Sequence, residues 1–319
     1  MTRILVTGGS GFLGSSTVAA LAAHPEVSLV VSGDIRPPAG PVPDGVVVET
    51  CDVTDPEAVR GVLARNAVDV IVHLAAIVNP GTLPESVEEA VDVGGTANVL
   101  AAAVESGVRR IVVSSSGAAY GYHADNPEWL SESDAIRGNE EFSYSRHKRR
   151  VEELLAEYRQ SNPELEQVIL RIGTILGPDV ANQITALWEG PRLLVVRGSE
   201  SPFVFVWVTD VVGAIARGAT GPATGAFNVA GDGRVTVPEI AAAMGKRTLT
   251  LSPGVLAFAL RVGSALKLTV HGPERVGFLQ FRPVLDNARL KTELGYTPAK
   301  TSREAFESYL SALGLKALG

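Results

Sequence analysis

The stretch "VTGGSGFLG" at residues 6–14 decides the fold, because it joins a short apolar run to the start of a helical pattern. Gly8, Gly11 and Gly14 are spaced three apart, at positions where the backbone must turn tightly and approach a pyrophosphate. The phosphate charge would then lie at the amide-rich, positive end of the helix. This junction predicts a dinucleotide-binding loop, which also contains Phe12 and Leu13.

An acidic residue follows the loop at the expected distance. Asp34 ends the second apolar run, 20 residues beyond Gly14, where its carboxylate can accept hydrogen bonds from the adenosine ribose hydroxyls. A negative charge there favours NAD over NADP, because it would repel a 2′-phosphate. Arg36, two residues on, leaves the use of both cofactors open. The phosphate loop of nucleotide hydrolases is excluded, since no Gly-Lys-Ser/Thr ends the motif.

The first half of the chain alternates Val- and Ile-rich runs with Ala-rich helical patterns. Strands that are apolar throughout are typical of a parallel sheet buried on both faces. The pattern predicts an α/β fold, a doubly wound parallel sheet of Rossmann-like type. The predicted strands are "RILVTG", "VSLVVSGD", "VVVET", "VDVIVHLAA", "RRIVVSSS" and "EQVILR", and the helical patterns between them include "FLGSSTVAALAAH", "DPEAVRGVLARN" and "SVEEAVDVGGTANVLAAAVESG".

The alternation loosens after about residue 170, which predicts two regions. Residues 1–170 would form the dinucleotide-binding domain, and residues 171–319 a smaller, mixed substrate-binding region. Part of residues 203–232, which contains the regular stretch "FVFVWVTDVVGAIARG", is expected to return to the first domain.

Composition narrows the ligand class. With 319 residues, 45% of them hydrophobic, and a net charge of -7, the chain suits a globular protein that binds a small molecule and not nucleic acid. One cysteine, Cys51, and five scattered histidines predict a metal-free cytoplasmic protein without disulfides. The most apolar segment, residues 254–270, is interrupted by Arg261 and Lys267 and is too short for a bilayer span. No membrane partner is therefore expected.

Two further features have more than one interpretation from the residues alone. Asp52 follows the third strand, where it could reach the adenine amine, but "DVTDP" also suits a helix start capped by Asp55. Tyr144 and Lys148 lie four apart and so share one face of a helix. They could be an acid/base pair, since an ammonium stabilises a nearby phenolate, or a packed tyrosine beside a solvated lysine.

Taken together, the motifs resemble those of the extended short-chain dehydrogenases/reductases, the NAD-dependent epimerase/dehydratase family. The resemblance covers almost the whole chain. It rests on "TGGSGFLG", Asp34, "DVTD", "HLAA" at 73–76, "SSSGAAYG" at 114–121, "YSRHK" at 144–148, "LRIGTILGP", "FVWVTDV", "FNVAGDG" and "LGYTP", which occur in the order typical of the family.

The resemblance implies site residues and an assembly. Ser116 would be the catalytic hydroxyl, Tyr144 the acid/base, and Lys148 the residue that holds the nicotinamide ribose. It also implies a homodimer packed through the helix that carries Tyr144 and the helix around residues 84–106. The residues that we assign to the NAD site are Gly8, Gly11, Phe12, Leu13, Gly14, Asp34, Asp52, Val53, Leu74, Ala75, Ala76, Tyr144 and Lys148.

Several departures from the family pattern fall where relatives hold their substrates. Gly117 and Ala118 replace the Asp-Glu pair of sugar-nucleotide dehydratases, and neither can move a proton. Thr174 replaces an expected asparagine, and Phe203 replaces an arginine that binds a diphosphate. These losses weaken a sugar-nucleotide pocket, because a diphosphate needs charge-assisted partners. Thr174, Phe203 and Ser116 are the candidate substrate-binding residues.

The sequence also gives expectations for His73, His147 and Asp92. His73 is interpreted as structural, because no acid/base partner is near it in the sequence. His147 stands where the family often has serine, and we expect it on a partly exposed helix surface. Asp92 begins "DVGGT", where relatives usually have asparagine, a change that would alter either a hydrogen-bond relay or a helix contact.

The sequence predicts an NAD-dependent oxidoreductase that interconverts a secondary alcohol and a carbonyl through Ser116, Tyr144 and Lys148. The alternative is an NAD-dependent sugar-nucleotide epimerase, which oxidises its substrate transiently at the same residues. A non-catalytic dinucleotide sensor is a third hypothesis, although such relatives generally lack the tyrosine or the lysine. The substrate is expected to be a small molecule.

Overall fold

Apolar runs and helical patterns become strands and helices in the order that the sequence predicts. The computed structural model describes residues 1–78, 83–178, 180, 182–266, 272 and 275–315. The elements of the first half are β1 (Thr2–Thr7), α1 (Phe12–Ala22), β2 (Val27–Asp34), β3 (Val46–Thr50), α2 (Pro56–Asn66), β4 (Val70–His73), α3 (Glu85–Glu89), α4 (Gly95–Glu105), β5 (Arg110–Ser116), α5 (Ser143–Ser161) and β6 (Glu166–Ile172). A π-helical turn (Ala90–Gly94) separates α3 from α4, and a 3₁₀ turn (Gly117–Tyr120) follows β5.

The second half contains shorter elements. They are β7 (Thr174–Leu176), α6 (Gln183–Ala186), β8 (Arg192–Val196), β9 (Phe205–Trp207), α7 (Val208–Thr220), β10 (Gly225–Val229), α8 (Val237–Ala243), β11 (Arg247–Leu251), α9 (Pro253–Ala265), α10 (Arg275–Gln280), α11 (Ala288–Thr292) and α12 (Ser302–Ala312).

The central sheet of the described chain has seven strands in the order β10-β6-β5-β4-β1-β2-β3, and every pairing is parallel. This confirms the predicted doubly wound α/β fold. The chain reverses its direction of travel across the sheet between β1 and β4. Ligands of such sheets bind outside the carboxyl ends of the strands at this point.

Helices cover both faces of the sheet, which is why its strands are apolar throughout. On one face, Val18 and Leu21 of α1 and Ile215 of α7 share a buried cluster with side chains from β1, β4 and β6. On the other face, Leu63 of α2 and Leu155 of α5 pack with α4 and the alternate side chains of the same strands. The sheet therefore holds the loops at its carboxyl edge on a rigid base.

The chain returns to the central sheet after residues 173–224, whose described strands are not part of that sheet. Strand β10 pairs with β6 and forms the edge of the sheet, and α7 packs beside α1. Arg110, at the start of β5, is 2% exposed and donates hydrogen bonds to the carbonyl oxygens of Gly218 (2.8 Å) and Ala223 (3.3 Å). This buried cation fixes the end of α7 to the first half of the chain.

The remaining C-terminal elements form a separate layer beside the sheet's carboxyl edge. Strands β7 and β9 pair with each other, as do β8 and β11. Trp188, Phe203, Phe205 and Phe306 pack there in an aromatic cluster. The division of the chain at about residue 170 stays a prediction. Within the described ranges, every helix is too short or too polar to cross a bilayer.

Candidate active site

The glycine loop between β1 and α1 is shaped for close approach of a ligand. Gly8 has a φ of +71° and lies against the backbone of Leu74 and Ala75, where a Cβ would meet the Ala75 nitrogen at 2.8 Å. A Cβ on Gly14 would lie 2.0 Å from the Gly8 carbonyl oxygen. Gly11 precedes the first turn of α1, which contains no acidic residue and receives no side-chain cap from the described residues. Its free amides can therefore bind an anion.

Asp34 lies at the end of β2, beside the glycine loop. Its Oδ2 accepts a hydrogen bond from the Ser10 amide (3.1 Å), and its Oδ1 accepts one from the Arg36 amide (3.0 Å). These two bonds hold the carboxylate at the rim of the site. Arg36 lines the cavity described below, whereas Asp34 is not among its lining residues.

A cavity of about 510 Å³ opens at the carboxyl ends of β1, β4 and β5. It is continuous from the glycine loop to the C-terminal layer. The predicted site residues that line it are Gly8, Gly11, Phe12, Leu13, Gly14, Leu74, Ala76, Ser116, Tyr144, Lys148, Thr174 and Phe203.

Besides Asp34, three predicted cofactor residues lie outside this cavity. Asp52 is exposed, and its Oδ1 accepts hydrogen bonds from the Thr54 amide (2.9 Å) and hydroxyl (2.7 Å), as in a turn that precedes a helix. Val53 is 5% exposed and packs against Gly95. Ala75 lines a smaller cavity behind the main one. The contacts of Asp52 are those of a turn before a helix, and its assignment to the adenine stays a prediction.

Ser116, Tyr144 and Lys148 come from two elements that meet at the cavity. Ser116 ends β5, and its hydroxyl oxygen accepts a hydrogen bond from the Ala118 amide (3.2 Å) at the start of the 3₁₀ turn. Tyr144 lies in the first turn of α5, and Lys148 follows one turn later. Lys148 is 6% exposed, donates to the Ser114 carbonyl oxygen (3.1 Å) and places Nζ 5.7 Å from the centroid of the Tyr144 ring.

A buried ion pair fixes α5 behind these residues. Arg171 on β6 and Glu152 on α5 approach to 2.7 Å, with side chains 8% and 5% exposed. Glu152 also accepts a hydrogen bond from the Ser115 hydroxyl, and Arg171 donates one to the Tyr120 hydroxyl (2.9 Å). The pair thus connects the helix of Tyr144 to the strand and turn that carry Ser116.

Aromatic side chains that were not among the assigned site residues form the far wall of the cavity. Tyr122 and Phe278 meet edge to face with ring centroids 5.2 Å apart, and Phe142 lies between Tyr122 and Tyr144. Burial is the main cause that raises the pKa of the Tyr122 hydroxyl, which keeps this phenol neutral. The local signal for Tyr122 is its position directly after "AAYG" at residues 118–121.

Arg282 is the other residue that the sequence did not indicate. It lines the cavity, and its guanidinium lies 4.0 Å from the centroid of the Phe203 ring. It donates to the Ser201 carbonyl oxygen (2.6 Å), whereas its Nε–H is buried without a hydrogen-bond partner among the described residues. Burial lowers the pKa of Arg282 to about 9, so the guanidinium still carries its charge at neutral pH.

The two histidines near the site differ from each other. His73 is 2% exposed and hydrogen-bonded through its ring nitrogens to Thr7 (2.7 Å) and Thr96 (3.1 Å), in line with a structural role. Burial, assisted by the charge of Lys148, lowers the pKa of His73 to about 4. The predicted exposure of His147 is wrong: it is 1% exposed, because the face of α5 that carries it packs against the π-helical turn.

The family model described as "NAD dependent epimerase/dehydratase family" matches residues 4–230, which include the glycine loop and both elements of the Ser116–Tyr144–Lys148 group. The chain belongs to this family. It is accordingly an NAD-dependent enzyme, and the family resemblance noted in the sequence is confirmed. The glycine cradle and the free amides of α1 fit the pyrophosphate of that cofactor.

Proteins similar to this chain include uncharacterised proteins and named enzymes. An uncharacterised protein of Mycobacterium tuberculosis is 26% identical over 98% of this chain and 84% of its own length. The L-arabinose 1-dehydrogenase (NAD(P)+) of Haloferax volcanii is 31% identical over 60% of this chain and 78% of its own. The structure of MoeE5 with UDP-glucuronic acid and NAD has a TM-score of 0.74 at 24% identity, covering 98% of this chain and 99% of that one.

Proposed function

We propose that this enzyme interconverts a secondary alcohol and a ketone or aldehyde, with Tyr144 as its acid/base. The observation that carries the proposal is that Ser116, Tyr144 and Lys148 line the same cavity as the glycine loop. A substrate carbon between them would be within reach of both a proton acceptor and the cofactor.

The proposed chemistry divides among the three side chains. Bound NAD would supply the acceptor for the hydride of the alcohol carbon. Tyr144, as phenolate, takes the hydroxyl proton at Oη, and Lys148 stabilises that phenolate from the next turn of α5. The Ser116 hydroxyl donates a hydrogen bond to the substrate oxygen and so orients it. Carbonyl reduction uses the same groups in reverse, with Tyr144 as the acid.

Tyr144→Phe tests this proposal. We expect turnover to fall by about 10²–10⁴-fold, the usual contribution of a general acid/base, while calorimetric NAD affinity is retained. Tyr158→Phe is the matched control, because Tyr158 lies on the same helix but packs against the buried cluster around Leu155 and does not line the cavity. A substrate would be identified by supplying secondary alcohols, sugars and sugar nucleotides together with NAD and following the absorbance of NADH. An unchanged rate in Tyr144→Phe would remove its assigned role.

A second candidate function, epimerisation of a sugar nucleotide, is favoured by Arg282. Relatives place a diphosphate-binding arginine at the position of Phe203, and the guanidinium of Arg282 lies directly against that phenylalanine. Within the described chain, no carboxylate lies within ion-pair distance of Arg282, so a substrate anion could neutralise it. MoeE5, of similar fold, holds UDP-glucuronic acid. Net NADH release would support the dehydrogenase, and stereoinversion without NADH release would support the epimerase.

The proposal extends to cofactor preference and assembly. Asp34 supports NAD over NADP, and Arg36 on the cavity wall supports some use of NADP. Comparing the dissociation constants of NADH and NADPH would decide this. We also propose a cytoplasmic homodimer that packs through α4 and α5, as the family resemblance implies. Light scattering on the purified protein would test the dimer.

A further inference from the structure

A buried acid and a buried imidazole face each other next to Lys148. Asp92, in the π-helical turn, is 3% exposed, and His147, on α5, is 1% exposed. The distance between Asp92 Oδ2 and His147 Nδ1 is 3.5 Å. Among the described residues, neither ring nitrogen of His147 has a closer polar partner. A polar ring this deeply buried is costly unless one of its nitrogens is satisfied.

The neighbours of Asp92 decide which way a hydrogen bond to His147 must run. Asp92 Oδ1 accepts a hydrogen bond from the Ile77 amide at 2.8 Å, which fixes the orientation of the carboxylate. Oδ2 is therefore the atom that faces the imidazole, and a carboxylate oxygen can only accept. His147 must carry its hydrogen on Nδ1 to satisfy the pair.

The acid at position 92 decides which imidazole nitrogen bears the hydrogen. Asp92 Oδ2 can only accept, so it suits an imidazole that carries its hydrogen on Nδ1. An asparagine held by Ile77 in the same way would present its NH₂ group to the imidazole and would require the opposite proton position. The position of the imidazole hydrogen therefore reports which group stands at residue 92.

We propose that Asp92 and His147 form a hydrogen-bonded clip that positions Lys148 relative to the cofactor-binding loop. Ile77 directly follows Ala76, which lines the cavity, and His147 directly precedes Lys148. The clip thus joins the loop after β4 to the helix that carries Tyr144 and Lys148. A π-helical turn at such a point is frequent near functional sites, because it redirects one side chain without ending the helix. Asp92 and His147 are positioning residues and not catalytic ones.

The position of the imidazole hydrogen is the first test. Long-range ¹H–¹⁵N spectra of the full-length protein distinguish a nitrogen that bears hydrogen from one that does not, and His147→Ser identifies the His147 signals by their loss. We expect Nδ1 of His147 to bear hydrogen in the native protein and to lose it in Asp92→Asn, with Nε2 protonated instead. A native Nδ1 without hydrogen, or the same state in both proteins, would overturn the proposal.

Coupling between the two residues is the second test, with calorimetric NAD affinity as the measurement. Asp92→Ala and His147→Ala should each weaken NAD binding by about tenfold, and the double variant should be no more than about threefold weaker than either single variant, because contacting residues are coupled. Glu157→Gln, an exposed change on the same helix, is the control and should have no effect. A double variant as weak as the two single losses multiplied would refute the clip. Neither test uses substrate, so either can fail or succeed independently of the proposed reaction.

Discussion

Replacing Gly14 by alanine sets two effects against each other: alanine has the higher helix propensity, but its Cβ would clash with the backbone of the cofactor loop. Alanine forms helix better than glycine by about 1 kcal/mol, so propensity alone would favour the change. The added Cβ, however, would lie 2.0 Å from the Gly8 carbonyl oxygen and 2.9 Å from the Gly9 Cα. Both neighbours are backbone atoms, which no side-chain rotation can move.

The required displacement sets the expected size of the effect. An ordinary van der Waals contact begins at 3.4 Å, so the start of α1 and the Gly8 turn must separate by more than about 1 Å. Gly8 cannot yield toward β4, because the Ala75 backbone already lies against it. A displacement of that size in a positioning element costs on the order of 100-fold. We expect NAD affinity to fall by that factor.

Calorimetric titration with NAD measures this loss, and circular dichroism checks that the variant is folded. Gly40→Ala is the matched control, because a Cβ at that exposed position would meet no atom of the described residues within 4 Å apart from its chain neighbours. Native affinity in a folded Gly14→Ala variant would show that the loop is not constrained as the structure indicates.

Three further predictions concern stability. Arg171→Met should lower the free energy of unfolding by about 3–5 kcal/mol in urea titrations, because it leaves Glu152 buried without its cation. Ala67→Gly should raise it by about 0.5–1 kcal/mol, since Ala67 ends α2 in the left-handed region with a φ of 45°. The folded pKa of His73 is about 4 and its unfolded pKa about 6.5, so the unfolded chain takes up the proton first. The contribution of neutral His73 to the free energy of unfolding is therefore complete above about pH 6.5 and is lost as the pH falls toward 4. The urea midpoint of His73→Gln should lack this pH dependence.

The fold could be predicted because its signals are local. The runs at Val27–Asp34 and Val46–Thr50 are the observed strands β2 and β3, residue for residue. Their flanking turns and the glycine motif leave little freedom in where each element begins. The order of the sheet then follows from the parallel alternation of strands and helices.

The walls of the cavity could not be predicted in the same way. Arg282 reaches Phe203 across nearly 80 residues of chain, and no periodic pattern reports such a contact. The predicted exposure of His147 is wrong, because a charged stretch such as the one around His147 is typical of a helix face that is exposed to solvent. Its burial depends on where the π-helical turn lies, which is a property of packing between α4 and α5.

The late return of the chain to its own sheet has a consequence for synthesis. The strand that protects β6 does not leave the ribosome until after residues 173–224 have emerged. Throughout that interval the nascent protein carries a bare, apolar strand capable of pairing with a neighbouring polypeptide. Slow translation of this interval would prolong that exposure, and a fragment that stops at residue 172 would keep it permanently.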